Sequence, residues 1–382
     1  PLLAKVVEME PADARGYNNL GMALEAVGEV EEARKVLEEG LRQDGSHYSL
    51  NYNYGKMLLD LDQPHVAIEH FARAAAGAPD HPDVLFYLGT ALRHVGRHPE
   101  SRSAFAAVER LNPSYVYRYI NTETNHHYQE FVKDEVVLLD KACGAHTNVS
   151  GNSSICLLRS IVSKLRKLET SLEFIGDRQM DGRKTQMVTG YMKHSFAYGS
   201  TFYQSWLQVF NNKVLVEGVE EMRRSRKLYG VLGSSIGWHV FYGALTWQVR
   251  ARGWEILCSQ VQIAQSLARS HGLDNQSLYT PLVEAASAPG ASGEIGVATQ
   301  FECLDALQAD LTGIHVLVLA FSRDVDLGAV LNRKMAGELK SGALVVAWSR
   351  ILDAQPEFER AAVYKVAVSW SDSWGMYVYR RR

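Results

Sequence analysis

A 34-residue period in the first third of the chain constrains its fold more than any other feature of the sequence. Small and apolar residues recur at this spacing, and a unit of this length accommodates two antiparallel helices. The recurring residues are Leu20-Gly21, Tyr54-Gly55 and Leu88-Gly89, then Leu24, Leu58 and Leu92, then Ala33, Ala67 and Ser101, and then Leu37, Phe71 and Phe105. We therefore predict three helix pairs over residues 12–113, with the three glycines where the helices of each pair cross closely.

The period and its pattern resemble those of the tetratricopeptide repeat. The resemblance implies an α-helical solenoid over residues 1–113 whose groove binds a protein partner or a protein substrate. The same frame extends backwards, because Leu3 and Pro11 lie 34 residues before Leu37 and Gly45. We therefore expect the array to begin inside the second helix of an earlier repeat and to be truncated at its N-terminus. The alternative is a plain helical bundle in which the spacing arises by chance.

Composition narrows the class of protein. The formal net charge of −3 gives no reason to expect nucleic-acid binding, and no apolar run approaches the roughly 18 residues of a membrane span. The cysteines are far apart and have no metal-binding spacing, so we interpret them as free thiols of a reducing compartment. They are Cys143, Cys156, Cys258 and Cys303. The prediction is an intracellular protein, cytoplasmic or nuclear, with no membrane segment and no metal.

Residues 114–195 are predicted to be a mainly helical connecting region. A helix capped by Asn152 or Ser153 should run to about Leu168, with apolar residues along one face. The basic residues off that face are interpreted as solvated, and an acidic partner is the alternative. They are Arg159, Lys164, Arg166 and Lys167. The stretch from Gly176 to Gly182 is predicted to be a break.

A strand–loop–helix–strand–helix unit follows. Leu228–Leu232 is predicted as a strand, Trp238–Trp247 as a helix, Arg252–Leu257 as a strand and Val261–Ala268 as a helix. The small residues 233–237 between the first strand and helix suit a sharp turn that lets a ligand approach the backbone. Glu255 lies 18 residues after Gly237, close to the roughly 20-residue spacing of an acid that accepts hydrogen bonds from a ribose.

The remaining pattern alternates strands and helices. Ile314–Phe321 and Ala343–Ala347 read as strands buried on both faces, with an amphipathic helix over Leu327–Leu339 between them. Residues 280–298 are rich in Ala, Ser and Gly and are predicted to be a surface loop. Residues 359–370 and 376–379 should form a terminal antiparallel hairpin around a turn at residues 371–375. We therefore predict a multidomain chain, with an α/β domain over residues 196–382.

From about Phe196 to Arg350, the order of motifs resembles the class I S-adenosylmethionine-dependent methyltransferases, and among them the DOT1-like histone lysine methyltransferases. The matching motifs are Tyr198-Gly199, Leu232-Gly233-Ser234, Glu255, Asp305-Ala306 and Lys340-Ser341-Gly342-Ala343. The resemblance implies a Rossmann-like fold and S-adenosylmethionine as cofactor, with Glu255 on the ribose and Asp305 near the adenine. The implied cofactor-binding residues are Tyr198, Gly199, Gly233, Ser234, Ser235, Gly237, Glu255, Asp305 and Ala306. No catalytic residue is indicated.

The chain departs from the family at several positions. Val231 stands where the acid that helps hold the methionine end would be, and Ser235 stands for the middle glycine of the loop. Ser200 replaces the glutamate of the family's Tyr-Gly-Glu, and Leu319-Ala320-Phe321 replaces its Asn-Asn-Phe, so histone methylation is not carried over. Two functions stay open. One is a methyltransferase that acts on a protein recruited by the repeats, and the other is a non-catalytic scaffold with a degenerate methyltransferase-like domain.

Overall fold

The computed structural model describes residues 2–120, 125–145, 154–189, 201–274, 297–320, 325–368 and 371–382. The chain divides into two compact units. The first unit contains Pro1–Arg118 and Thr170–Val188, and the second contains Tyr119–Glu169 and Thr189–Arg382. The region that we predicted to connect two domains, residues 114–195, is therefore divided between the units.

The first unit is helical and contains the repeats. Its helices are α1 (Leu2–Met9), α2 (Ala14–Ala26), α3 (Val30–Gln43), α4 (Tyr48–Asp60), α5 (Pro64–Gly77), α6 (Pro82–His94) and α7 (His98–Leu111), with α11 (Leu172–Thr189) later in the chain. The short helix α8 (Tyr117–Ile120) contains the point in the sequence where the first unit ends and the second begins. Prolines occupy the first turns of α5, α6 and α7, where a missing backbone N–H costs no helical hydrogen bond. The pairs α2–α3, α4–α5 and α6–α7 are the three predicted repeats.

The three glycines lie at the crossings inside these pairs, as the period predicts. A Cβ atom on Gly21 would lie 2.6 Å from Leu37 Cδ2. The corresponding atom on Gly55 would lie 2.8 Å from Phe71 Cε1, and that on Gly89 would lie 2.8 Å from Phe105 Cε1. Each glycine therefore lets the first helix of its pair contact a large side chain of the second.

Replacing Gly55 by Leu is expected to destabilise the chain by about 1–3 kcal/mol, because added atoms would overpack this crossing. Phe71, which a side chain at position 55 would meet, is fully buried. Gly337 is a matched control, since it is exposed and a Cβ there would meet no atom within 4 Å. Urea unfolding of Gly55→Leu and Gly337→Leu measures the difference. Equal stability of the two variants would contradict the close crossing.

The second unit combines helices with a mixed sheet. Its helices are α9 (Asn125–Ala145), α10 (Ser154–Glu169), α12 (Tyr203–Phe210), α13 (Lys213–Arg224), α14 (Trp238–Trp247), α15 (Cys258–Ser270) and α16 (Val325–Glu338). Its strands are β1 (Leu228–Leu232), β2 (Arg250–Glu255), β3 (Ala298–Cys303), β4 (Ile314–Leu319), β5 (Leu344–Ala347), β6 (Phe358–Val368) and β7 (Ser371–Arg381). Within the described residues these strands form one sheet in the order β3-β2-β1-β4-β5-β7-β6.

The sheet has a parallel part and an antiparallel edge. Strands β3, β2, β1, β4 and β5 are parallel, whereas β7 pairs antiparallel with β5 and with β6. The side chains of β1, β4 and β5 are buried on both faces, which explains why these strands read as continuous apolar runs. The described residues include no helix that is long and apolar enough to span a membrane.

Three boundaries differ from the sequence prediction. Strand β2 covers Arg250–Glu255 instead of residues 252–257, because its first residues include half-buried arginines that mask the strand pattern. Residues 371–375 belong to strand β7, in which Ser371 pairs with Val368 of β6, so the predicted turn there is wrong. Gly176 and Gly182 lie inside α11 and mark no break. A Cβ on Gly176 would lie 2.9 Å from Thr90 Oγ1, so close packing explains this glycine.

Other predictions fall partly outside the described residues. The predicted loop at residues 280–298 lies there for all but its last two residues, and so does Phe321 at the end of the predicted fourth strand. The described part of that strand, Ile314–Leu319, matches the prediction.

Candidate functional site

The strand order places a candidate site at the carboxyl ends of β1 and β4. From β1 the chain proceeds outward to β2 and β3, whereas β4 lies on the opposite side of β1 and leads to β5. In open sheets with helical crossovers, ligands bind in the crevice where the strand order reverses. Residues 233–237 lie at this position, because they join β1 to the start of α14.

The backbone of this loop has an alternating left-handed conformation. The φ angles are 74° at Gly233, 51° at Ser235 and 102° at Gly237. Left-handed backbone favours glycine, and a side chain there costs about 1–2 kcal/mol. Ser235 therefore has a left-handed backbone, as the two glycines of the loop have.

Strand β2 holds the loop from one side. The N–H groups of Gly233 and Ser234 donate to the carbonyl oxygen of Trp254 at 2.8 and 2.9 Å. Gly253 permits this approach, since a Cβ on it would lie 2.8 Å from the Cβ of Ser234. Two features of the sequence therefore fix the position of the loop against β2. One is the small residues in the loop, and the other is Gly253 in the neighbouring strand.

Glu255 ends strand β2 and faces the loop. Its Oε2 accepts a hydrogen bond from the Ser235 N–H at 2.9 Å, and its Oε1 accepts one from the Leu257 N–H at 3.0 Å. Burial raises the pKa of Glu255, while the backbone donors act against this rise. A carboxylate has about four acceptor positions, so Glu255 retains capacity for further donors such as hydroxyl groups.

The hydroxyl group of Ser235 already has a protein partner. It donates to Gln260 Oε1 in α15 at 2.7 Å, and Gln260 is buried. Ser235 therefore links the loop to α15 through its side chain and to β2 through its backbone. Sequence reasoning identified Ser235 but not Gln260, because nothing in the local pattern around Gln260 distinguishes it from other helical glutamines.

Asp305 and Ala306 follow strand β3 at the same edge of the sheet. Glu255 pairs with Cys303 in the β2–β3 register, so Asp305 lies two residues beyond the partner of Glu255. Its Oδ1 accepts a hydrogen bond from the Leu307 N–H at 2.8 Å. This bond fixes the turn after β3, and Ala306 packs against the hydrophobic core under the sheet.

The structure thus brings together most of the predicted cofactor-binding residues at one edge of the sheet. Gly233, Ser234, Ser235 and Gly237 form the loop, and Glu255 contacts it directly. Tyr198 and Gly199 lie outside the described residues. Across the part of the chain that the structure describes, no group of three or more His, Cys, Asp or Glu side chains is placed to hold a metal ion.

A buried ionic cluster supports the start of α14, and the sequence analysis missed it. Arg166 of α10 donates from Nε to Glu135 Oε2 at 2.6 Å and pairs with Glu169 through Nη1. Its guanidinium group lies 4.2 Å from the ring centroid of Trp238, the first residue of α14. Arg166 is only 5% exposed, so its prediction as a solvated residue is wrong.

The same cluster fixes the segment before α12. Glu135 Oε1 accepts a hydrogen bond from the Tyr203 N–H at 2.6 Å, and the Tyr242 hydroxyl lies 3.0 Å from both Glu135 Oε1 and the Thr201 carbonyl oxygen. Charged residues at single helical positions do not reveal such a cluster in a sequence, because its members are as far apart as residues 135 and 242.

His239, in the first turn of α14, is another buried polar residue that no sequence motif distinguishes. Its Nε2 lies 3.2 Å from the Thr201 hydroxyl, and its ring contacts Trp348 edge to face, with centroids 6.0 Å apart. Burial lowers the pKa of His239 to about 4, so its imidazole is neutral at pH 7. Its Nδ1 has no hydrogen-bond partner among the described residues.

The four cysteines form two disulfides, so the prediction of free thiols is wrong. Cys143 pairs with Cys156 between α9 and α10, and Cys258 pairs with Cys303 between the start of α15 and the end of β3. The partners are 13 and 45 residues apart in the chain. Spacing along the sequence did not reveal the pairs, because the second one arises only when β3 aligns beside β2.

Comparison with known proteins identifies the repeats. A family model of the tetratricopeptide repeat matches residues 1–48 and 52–116. The helix pairs α2–α3, α4–α5 and α6–α7 are therefore tetratricopeptide repeats. No curated protein matches the sequence of this chain.

Solved structures similar to the chain fall into two groups. The RNA methyltransferase from Salinibacter ruber in complex with S-adenosyl-L-homocysteine is 16% identical, with a TM-score of 0.28, over 44% of this chain and 92% of that chain. TrmN from Thermus thermophilus is 11% identical, with a TM-score of 0.32, over 47% of this chain and 52% of that chain. The second repeat domain of Spaghetti (RPAP3), bound to an HSP90 peptide, is 21% identical, with a TM-score of 0.25, over 26% of this chain and 92% of that chain. At these TM-scores, the similarities carry no argument about function.

Proposed function

We propose that the chain is an S-adenosylmethionine-dependent methyltransferase whose protein substrate is recruited by the tetratricopeptide repeats. The observation that carries the proposal is the loop at the carboxyl end of β1, with left-handed backbone at residues 233, 235 and 237 and with its Ser235 N–H on the carboxylate of Glu255. The sheet order β3-β2-β1-β4-β5-β7-β6, with β7 antiparallel, supports a Rossmann-like class I methyltransferase fold.

The residues present fit the adenosine part of the cofactor. Glu255 offers acceptor capacity for a ribose diol, and the turn fixed by Asp305 provides the edge on which an adenine would lie. The first turn of α14 directs backbone N–H groups towards the same crevice. S-adenosylmethionine supplies an electrophilic methyl group, so the chain needs to align the acceptor and exclude water.

The chain offers fewer polar groups for the methionine part of the cofactor than for its adenosine part. Val231 is fully buried in β1 and offers no acceptor for an ammonium group. Leu319, at the end of β4, is also buried and apolar, and the N–H of Ala320 donates to Leu232 O. Leu319 and Ala320 provide no polar side chain where the DOT1-like family has Asn-Asn, so the proposal does not extend to histone lysine.

Calorimetric titration of S-adenosylmethionine into the full chain tests the proposal. We expect a dissociation constant in the micromolar range, equivalent to about −8 kcal/mol. Glu255→Ala should weaken binding by about 1.5–3 kcal/mol, because hydrogen bonds to a charged group are lost. Glu220→Ala is the matched control, since Glu220 is an exposed acid of α13, which leads into the opposite end of β1.

The scaffold hypothesis rests on Val231, Ser235 and Leu319-Ala320, which depart from the family pattern, and the same titration tests it. The enzyme hypothesis would be excluded if the native chain gave no binding heat while the double variant Val231→Asp/Ser235→Gly bound S-adenosylmethionine. This result would show that the native pocket is degenerate. The scaffold hypothesis would be excluded if the native chain bound S-adenosylmethionine, Glu255→Ala weakened this binding and Glu220→Ala left it unchanged. Ser235→Gly alone should change the affinity little, because the lost hydroxyl group is bonded to Gln260.

A further inference from the structure

Helix α11 packs on one face of the repeat array. We define the first-helix face by Asp60 and Asp62 at the end of α4 and by Tyr87, Thr90 and Arg93 of α6. The first helices α4 and α6 contribute all of these residues except Asp62, which lies two residues after the end of α4. Because 60 residues of sequence separate α11 from α7, its position on this face is a tertiary contact and not a continuation of the repeat.

Three ion pairs join α11 to the first-helix face. Arg93 binds Asp177 through two parallel hydrogen bonds, Nε to Oδ1 at 2.6 Å and Nη2 to Oδ2 at 2.8 Å. Arg183 Nε lies 2.5 Å from Asp60 Oδ1, and Lys184 Nζ lies 3.5 Å from Asp62 Oδ1. The charges are therefore complementary along the contact, with an acid of α11 on a base of α6 and two bases of α11 on acids at the end of α4.

Packing accompanies these charges. The Arg183 guanidinium group lies 5.7 Å from the ring centroid of Tyr87. Gly176 approaches α6 so closely that a Cβ would lie 2.9 Å from Thr90 Oγ1. Residues seven apart share one side of a helix, so Gly176 and Arg183 form one contacting row and Asp177 and Lys184 form the next.

The repeats themselves provide an internal control for what α11 covers. Residues 34 apart occupy the same position in successive repeats, so their burial can be compared directly. The residues equivalent to Tyr87 are exposed in the first repeat and half-buried in the second, while Tyr87 itself is 9% exposed. The residues equivalent to Thr90 are half-buried in both earlier repeats, while Thr90 is 2% exposed. The two series are Asn19, Asn53 and Tyr87, and Met22, Lys56 and Thr90. Burial at these two positions thus increases from the first repeat to the third, where Gly176 and Arg183 of α11 contact Thr90 and Tyr87.

We propose that the first-helix face is a docking surface for a helix with a defined charge pattern, and that α11 occupies it within the same chain. The pattern is a small residue, then an acid, then two bases six and seven residues beyond the acid, as in Gly176, Asp177, Arg183 and Lys184. A partner helix with this pattern reaches the face by displacing α11. The inference concerns the repeats alone and does not depend on methyl transfer.

The test uses a fluorescein-labelled peptide with the sequence of residues 170–189, titrated against the full chain by fluorescence anisotropy. The tethered α11 competes at an effective concentration of about millimolar, so the wild-type chain should bind the peptide weakly. Asp177→Lys in the chain places a base against Arg93 and releases the face, and we expect about tenfold tighter binding of the native peptide. The same change in the peptide should abolish that gain.

Two controls complete the design. Glu109→Lys makes the same charge change on an exposed residue of α7 and should leave peptide binding at the wild-type level. The charge-swapped chain, Arg93→Asp with Asp177→Arg, should recover at least half of the thermal stability that each single change loses. This recovery remains measurable even where a single variant unfolds at a lower temperature.

Three results would overturn the proposal. One is tight binding of the peptide to the wild-type chain, equal to that of Asp177→Lys, which would mean that the face is open. Another is unchanged weak binding in a folded Asp177→Lys chain. The third is a charge-swapped chain whose loss of thermal stability equals the sum of the losses caused by Arg93→Asp and Asp177→Arg alone. Loss of S-adenosylmethionine binding would leave all three readouts unaffected.

Discussion

Replacing Arg166 by Met is expected to reduce the free energy of unfolding of the second unit by about 3–5 kcal/mol, because it leaves the carboxylates of Glu135 and Glu169 buried without a compensating charge. Both carboxylates are fully buried. Burial alone lowers the pKa of Arg166, but the two carboxylates outweigh it and hold the pKa above the ordinary value. Arg166 is therefore charged throughout the pH range in which the chain is folded.

Denaturant unfolding of a matched set measures this effect. Arg159→Met removes a base from the same helix, but the pair of Arg159 with Asp140 is exposed, so a loss of about 0–1 kcal/mol is expected. Combining Arg166→Met with Glu135→Gln and Glu169→Gln removes the buried charges together and should restore much of the lost stability. An Arg166→Met chain as stable as Arg159→Met would contradict the buried cluster. A triple variant no more stable than Arg166→Met would show that packing against Trp238 matters more than charge.

The parts of the fold that the sequence predicts are those encoded by regular spacing. The repeats follow from 34-residue recurrence, and the glycines contact Leu37, Phe71 and Phe105 as the spacing requires. Strands β1, β4 and β5 follow from apolar runs because both of their faces are buried. The loop at residues 233–237 follows from its two glycines and two serines, because glycine readily adopts the left-handed backbone that a sharp turn requires.

The parts that the sequence does not predict depend on contacts between distant residues. Arg166 has the same helical spacing as solvated bases, and only its contact with Glu135, 31 residues away, shows that it is buried. Gly176 suggests a helix break by its intrinsic preference, whereas its contact with Thr90 makes it a packing residue. The disulfide of Cys258 with Cys303 requires the β2–β3 register before the two sulfur atoms meet.

Acidification is expected to destabilise the folded chain through His239, by on the order of 3 kcal/mol between pH 7 and pH 4. Burial lowers the pKa of this imidazole to about 4 in the folded chain, while the unfolded value is about 6.5. As the pH falls below about 6.5, the unfolded chain binds a proton that the folded chain does not. Stability contributed by neutral His239 is therefore lost progressively down to about pH 4, and the loss is complete below that value.

The comparison of wild type with His239→Gln isolates this contribution, because glutamine does not titrate and its amide can still bond the Thr201 hydroxyl group. Burial also lowers the pKa of His315 to about 4, and that residue titrates identically in both chains. Unfolding free energies from urea titrations at pH 7.5 and pH 4.5 should therefore fall further in wild type than in His239→Gln. Thr201→Val is the second control, since it removes the hydroxyl partner of His239 but keeps the buried imidazole, and its pH dependence should follow wild type. Equal pH dependence of wild type and His239→Gln would mean that the imidazole of His239 gains its proton in the folded chain near pH 6.5, and hence that water reaches the first turn of α14.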